Sequence, residues 1–449
     1  MSLLGALSIA SQGLMSNQIA LKSTTKNLDN AYTDGYSREE AVFADLPNGG
    51  VEIAELRRVW SSALFKQVVR ANYEASGYSQ EETILSQIEA VFNDAQGGGF
   101  SDEINNFFNS MNDVALNPDD TAARENFLSA AQSLVGRIRQ AYSFLEEIKN
   151  SYTSKLTEQV SQLNQLLNQL AELNGNISTT PKDSSSYNQL LDRRDELIKE
   201  ISSQIEVKLT FNDDGSVNLY TAKGFALVLK ERAFNLSTEV SDEGVEVKVQ
   251  GVDLSRELSG GEIGGTLRGL AAVEEYEGRL NQFTSTFAEL VNRQHEAGYD
   301  LYGETGVALF GSENGQPIDA SNITLAITDP KKVAAASSPD YLNSDNGNIK
   351  ALMELGEEKI DELGGLSFSE YYATQITGAI GAELSKVKNL SENASFQLES
   401  LEEKVSSISG VNVDEELVKL TQYQRAYQAA ARVITVSDEL IQTILNLVG

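Results

Sequence analysis

Cysteine is absent from this 449-residue chain, histidine and tryptophan occur once each (His295 and Trp60), and there are only six prolines. Without cysteine there can be no disulfide, no thiolate metal site, no iron–sulfur cluster and no cysteine nucleophile. One histidine excludes a histidine-rich metal centre and leaves a single candidate for a Ser-His-Asp triad. Cations are also scarce: 35 Lys and Arg face 66 Asp and Glu, for a net charge of −31. Such a balance argues against a nucleic-acid face or an anionic membrane partner, both of which need clustered cations. No run of about 20 apolar residues is present, so no membrane span is expected. The first positive charge is Lys22 and the apolar residues before it are spaced, which is unlike a secretory signal peptide. Few prolines leave long helices free to run, and the length suits two to four domains.

The two ends carry the clearest periodicity. Steps of four and three pick out Leu3, Leu7, Ala10, Leu14, Asn17, Leu21, Thr24, Leu28 and Ala31 at one end. At the other they pick out Val413, Leu417, Leu420, Gln424, Tyr427, Ala431, Ile434, Asp438, Ile441, Leu445 and Val448. Both are heptad seams, on helices roughly 40–55 Å long at 1.5 Å per residue. Neither segment holds a partner for its own stripe. The two helices therefore pair with each other, or bury their stripes against other copies of the chain. Charge follows the same division: residues 1–40 hold three cations and four acids, 410–449 hold three and five, and nearly all the excess acid lies between.

Between the ends the spacing predicts helices over Ile84–Phe92, stopped at Gln96-Gly97-Gly98-Gly99, and over Ile104–Ala115, stopped at Asn117-Pro118. A very long helix follows from about Thr121 to Ile177. The period then falls to two at Val207, Leu209, Phe211, Val217, Leu219, Phe225, Leu227 and Leu229, and again at Val245, Val247 and Val249. Residues 206–260 thus read as a small antiparallel β module. Helix returns at about 266–297, and again at 349–363 and 368–408, with a Gly- and Asp-rich stretch at 299–348 holding one short strand near Ile323–Ile327. The expected fold is mainly α with a smaller β-rich domain, an elongated nested rod whose terminal helices pair as a coiled coil. Its expected domains are 1–40 with 410–449, a helical bundle of 41–205, 262–300 and 349–409, and an outer β-rich part of 206–261 and 301–348.

Candidate chemistry is thin. His295 ends a predicted helix, where a histidine serves as a dipole partner or surface residue, and no Gly-x-Ser-x-Gly elbow accompanies it. Asp213-Asp214-Gly215-Ser216 lacks the spaced acids of a calcium loop and reads as a hairpin turn. Gly97-Gly98-Gly99 has no following Gly-Lys-Ser/Thr and so is no phosphate cradle. Acid pairs such as Glu357-Glu358, Glu402-Glu403 and Glu415-Glu416 solvate helix faces. No catalytic residue, metal ligand or cofactor is expected.

Two motifs stand apart. Asn30-x-x-Thr33-x-Gly35-Tyr36-x-Arg38 closes the first helix, with Gly35 suited to a left-handed stop. Ser409-Gly410-Val411-Asn412-x-Asp414-Glu415-Glu416 opens the last, followed by Tyr423-Gln424-x-x-Tyr427-x-Ala429-x-Ala431. With them go Gly97-Gly98-Gly99-Phe100, Phe107-Phe108, Asn117-Pro118 and Arg124, Leu190-Leu191-Asp192-Arg193-Arg194-Asp195-Glu196-Leu197, and Gly264-Gly265-x-Leu267 leading to Asn292-x-x-His295-x-x-Gly298-Tyr299. In these features the chain resembles the axial proteins of the bacterial flagellum, and within them the hook-associated protein 1 family. It departs from the axial pattern at Asp34, where proline is common, and at Asn30-Ala31-Tyr32, where Ala-Asn is usual. Residues 206–260 and 300–348 match least.

The resemblance implies export without a cleaved signal, through the flagellar channel, and assembly as a ring or helical polymer of the chain itself at the hook–filament junction. It implies hook protein and hook-associated protein 3 as neighbours and an export chaperone on the C-terminal helix, with no nucleic acid, membrane or cofactor. The implied assembly interface is Leu3, Leu7, Leu14, Leu21, Leu28, Gly35 and Tyr36 with Val413, Leu417, Leu420, Tyr427, Ile434, Ile441 and Leu445. The alternatives are another axial protein (hook-associated protein 3, hook or flagellin-like) and, from another class, a secreted carbohydrate-binding protein or enzyme centred on the β module.

Overall fold

The computed structural model describes residues 2–47, 49–93, 99–182, 184–241, 244–313 and 315–448. In chain order these form α1 (Leu3–Asp29), β1 (Glu39–Asp45), β2 (Val51–Arg58), α2 (Ser62–Val91), α3 (Phe100–Leu116), α4 (Thr121–Thr179) and α5 (Ser185–Gln204). Short strands follow: β3 (Lys208–Phe211), β4 (Val217–Tyr220), β5 (Ala226–Leu229), β6 (Arg232–Ala233), β7 (Leu236–Ser241), β8 (Gly244–Val249) and β9 (Val252–Asp253). The rest is α6 (Gly261–Glu296), β10 (Phe310–Ser312), β11 (Ile323–Leu325), α7 (Gly347–Glu354), α8 (Phe368–Tyr371), α9 (Gly378–Ser409) and α10 (Val413–Val448). The fold is mainly helical with small antiparallel sheets. None of the helices, over the described residues, is long and apolar enough to cross a membrane.

The chain divides into two compact units. The first holds residues 1–77, 159–264 and 392–449, and the second holds 78–158 and 265–391. The β strands of 208–253 belong to the first and the 299–348 stretch to the second.

In the first unit α1 and α10 pair, as their heptads predict. Ser2 caps α1 by accepting a bond from the Gly5 N–H, and the Asn412 carboxamide caps α10 at the N–H groups of Asp414 and Glu415. Three acids in the first turn of α10 complement its dipole. Along another side α1 packs on a hairpin, β1–β2, which lies in a stretch expected to be helical. That side of α1 is built of Ser16, Ala20, Ser23 and Asn27, small or polar residues that no hydrophobic period marks but that let backbones approach closely. β3–β4–β5–β6 and β7–β8–β9 make the expected β module, with Asp213–Ser216 as its first turn.

The second unit is packed around aromatic rings from α3, α6 and α8. Phe100 stacks on Tyr372 with centroids 4.7 Å apart, and Phe287 meets Phe107 and Phe368 at 5.2 Å each. Each such ring, fully buried, contributes about 1.5–3 kcal/mol. The helix expected over 349–363 ends at Glu354, because Ile360 leaves it to form a bridge with Leu366. The helix expected over 368–408 starts with a Ser367/Glu370 capping box and passes through a π-helical stretch, Tyr372–Thr377, before α9. Gly97 and Gly98 lie outside the described residues.

One device recurs. Asn27, Asn164, Asn174 and Asn292 each sit on a helix and hold one residue of a neighbouring strand through both its N–H and its C=O. Their respective partners are Glu39, Leu236, Val217 and Phe310, with bond lengths of 2.8–3.0 Å. Each carboxamide thus satisfies strand backbone groups that the sheet leaves open, at edge strands for Glu39, Leu236 and Phe310 and at the start of β4 for Val217.

Candidate assembly surface

The motifs at the two ends of the chain meet in one place. After α1 the chain turns through Gly35, at φ +74°, a conformation that strains any other residue. The turn brings the Tyr36 hydroxyl 2.7 Å from Asn27 Oδ1, to which it donates. Asn27, 1% exposed, also takes the Glu39 N–H and donates to the Glu39 carbonyl and, at 2.9 Å, to Glu416 Oε2 on α10. Glu416 and Glu39 are both buried carboxylates, paired with Lys419 at 2.8 Å and Lys26 at 2.6 Å. Burial and the carboxylates of Glu39, Asp192 and Glu416 hold the Tyr36 phenol well above its ordinary pKa, so it remains a donor. The Arg38 N–H donates to the Ser409 carbonyl at 2.8 Å, so the turn after α1 also grips the end of α9.

The Leu190–Leu197 stretch completes the support. Arg58 of β2 sits between Asp192 and Asp195 of α5 and over the Trp60 ring, 5.1 Å from its centroid. Arg194 stacks on the Phe211 ring at 4.8 Å. Asp192 in turn accepts from the Ser37 side chain and backbone.

Along the helix pair, the inward side of α10 runs through Glu416, Leu420, Tyr423, Tyr427, Ala430, Ile434, Ser437 and Ile441. Val413, Leu420, Tyr427, Ile434 and Ile441 are half-buried, as are Leu3, Leu7, Leu14, Leu21, Leu28 and Tyr36. Leu417 and Leu445 face outward, at 47% and 65% exposure. The outward side carries a second apolar stripe, Val433, Val436, Leu440 and Ile444, each about half exposed, and α1 adds Leu4, Met15 and Ile19. Val448 has no described side chain. Asn27 and Glu416 were missed in the sequence because they lie off the heptad seams. The signal available was the small-residue spacing of Ser16, Ala20, Ser23 and Asn27.

His295 is structural. It is fully buried, its Nδ1–H donates to the Val307 carbonyl at 2.6 Å, and its Nε2 accepts the Ala334 N–H at 2.9 Å. Both ring nitrogens are occupied by backbone, which leaves none for a nucleophile. Around it Asn292 holds Phe310, Asn348 bonds the Ala334 carbonyl, and Gly298 approaches Asn348 so closely that a Cβ would lie 2.1 Å from its Nδ2. Arg124, fully buried, binds the carbonyls of Pro118, Pro330 and Val333. The internal motif residues thus tie the 299–348 stretch to α6 and α4.

Two buried groups predict opposite responses to acid. Burial lowers the His295 pKa to about 4, so its neutral form is favoured in the fold. Its contribution is complete above the unfolded value near 6.5 and is lost as pH falls from there through 4. Burial, moderated by Arg58, raises Asp192 to about 6, so protonation relieves a cost as pH falls through that value. Each shift corresponds to roughly 3 kcal/mol. Between pH 7 and 4, hydrogen-exchange protection factors should fall around Val307 and Ala334 and rise around Ser37 and Arg58. Parallel changes at both places would contradict the assignment.

Comparison with known proteins agrees with this geometry. Residues 85–310 match the model of the flagellar hook-associated protein FlgK helical domain, and 403–447 match that of the flagellar basal body rod FlgEFG protein C-terminal region. Flagellar hook-associated protein 1 of Bacillus subtilis is 27% identical, over 99% of this chain and 98% of its own length. The Escherichia coli protein of the same name is 24% identical over 98% of each. The flagellar hook junction protein FlgK of Burkholderia pseudomallei shares the fold, with a TM-score of 0.68 over 77% of this chain and all of that one, at 18% identity. The two family matches together define the class, that of flagellar axial chains. The chain belongs to the FlgK family of flagellar hook-associated proteins.

Proposed function

We propose that the chain is a hook–filament junction subunit, without catalytic activity, that polymerises through the composite surface of α1 and α10. The observation that carries this is the second apolar stripe. Val433, Val436, Leu440 and Ile444 lie along one exposed side of a helix already paired on the other. Apolar area of this kind, at about 25 cal/mol per Å², needs only a few hundred Å² per neighbour for a useful contact. The half-buried expected interface residues, Leu3 to Leu28 and Val413 to Ile441, then shape the pair, while Leu417 and Leu445 join the outward stripe. In this reading the ends, residues 1–40 and 410–449, make the polymer contacts.

Hook protein on one side and hook-associated protein 3 on the other are the neighbours this role requires. The chain would reach them by export without a cleaved signal, with a chaperone covering the apolar C-terminal helix beforehand. Absence of cysteine suits passage of an unfolded chain. Immunogold labelling of intact hook–filament preparations, with antibody to the 208–253 strands, should mark the hook–filament boundary alone. Label distributed along the filament or the hook would assign the chain to that part instead.

A further inference from the structure

The geometry points to Asn27 and Glu416 as the register key of the terminal helix pair: their buried bond fixes which turn of α1 lies beside which turn of α10. The pair is antiparallel, since the bond joins the end of α1 to the start of α10. Elsewhere its inward sides are mainly apolar, with small and aliphatic side chains such as Ala10, Leu14, Ala430 and Ile434 beside the rings of Tyr423 and Tyr427. A shift of one heptad would still set mainly apolar side chains against apolar ones, so apolar burial alone chooses register weakly. The key does not tolerate the shift. Seven residues back along α1 from Asn27 is Ala20, which offers Glu416 no donor, and seven residues forward lies beyond the helix end.

Asn27 cannot follow a moving partner either. Its other bonds, to both backbone groups of Glu39 and to the Tyr36 hydroxyl, tie it to the hairpin and the turn. A slipped pair therefore leaves a buried N–H and a buried carboxylate oxygen unpartnered. Resting on the assembly proposed above, this register decides how Leu4, Met15 and Ile19 line up with Val433, Val436 and Leu440.

The natural absence of cysteine allows a direct test in the dilute full-length chain. Gly13 and Ala430 lie fourteen residues from the key on their respective helices, hence at the same height. Gly13→Cys with Ala430→Cys should react with a short bifunctional thiol cross-linker at least about tenfold faster than Gly13→Cys with Tyr423→Cys or Ser437→Cys, the one-heptad offsets. Adding Glu416→Leu should bring the three rates within about threefold, whereas Glu416→Gln, which keeps an acceptor for the Asn27 amide, should preserve the preference. An unchanged preference in Glu416→Leu overturns the proposal. So does loss of all three cross-links, since the bond would then hold the helices together rather than choose their register, and so does loss of preference in Glu416→Gln. Every readout is intramolecular, so failure here leaves the polymerisation reading standing.

Discussion

A chain carrying Val436→Asp and Leu440→Asp is expected to fold and to leave the cell, and to carry no filament. Both side chains are about half exposed on the outward side of α10, so the fold does not depend on them. In the polymer each would be buried, at about 1.5–3 kcal/mol per aliphatic side chain, and the loss recurs at every subunit contact. Burying two carboxylates there adds a desolvation cost that Arg432, one turn before position 436, offsets only in part. The cells should be non-motile, with flagellin free in the medium and full-length variant chain secreted beside it. Leu420→Asp separates the two layers of the surface. Leu420 is half-buried toward α1, so this change should also reduce hydrogen-exchange protection along α1 in the monomer, which the outward pair should not do. Normal swimming by the Val436→Asp, Leu440→Asp strain would end the assembly reading.

Arg124→Ala should lower the stability of the 299–348 stretch by about 3 kcal/mol or more, since each buried carbonyl left without its donor costs about 1–3 kcal/mol. Arg124 is fully buried, and its guanidinium gathers carbonyls from Pro118, Pro330 and Val333. Removing it leaves those acceptors facing a cavity. Burial lowers its pKa to about 10, which still leaves the side chain charged at neutral pH, so its role is that of a cationic hub. Arg124→Lys should not restore the loss, because an ammonium on a single stem cannot reproduce the planar fork that reaches both Pro118 and Val333. Hydrogen exchange at residues 330–336 would show the opening. An effect within about 0.5 kcal/mol, the range of an ordinary surface change, would refute the hub.

The ends were legible because heptad spacing is a long signal. Leu3 and Val413 start their helices where the pattern starts, and the first helix stops two residues before the predicted Ala31. The long helix from Thr121 was equally plain, since neither proline nor a glycine cluster interrupts it. β1 and β2 were not legible. Their alternation is blurred by Glu39, which is buried, and Phe43, which is partly exposed against Tyr423, the reverse of the usual sorting. His295 reads in the sequence as a helix-end dipole partner or surface residue. It is instead a buried bolt between Val307 and Ala334, invisible in the sequence because both bonds go to backbone brought close only by the fold. Asn27 and Glu416 escaped for the same reason: one residue is polar on an apolar helix, the other one acid among three. A residue whose partners are peptide groups leaves no pattern of its own.

The carboxamide clamps also make the chain sensitive to chemical ageing. Hydrolysis of one amide replaces an N–H donor with a charged oxygen while barely changing the shape of the side chain. At Asn174 that oxygen would face the carbonyls of Val217 and Lys230, each now 2.8 Å from the donor nitrogen, so two attractions would become two repulsions. Asn174 precedes Gly175, yet it is fully buried within α4, where the helical backbone keeps the following N–H engaged. At Asn27 and Asn174, then, burial keeps water away from the amides on which the neighbouring strands depend.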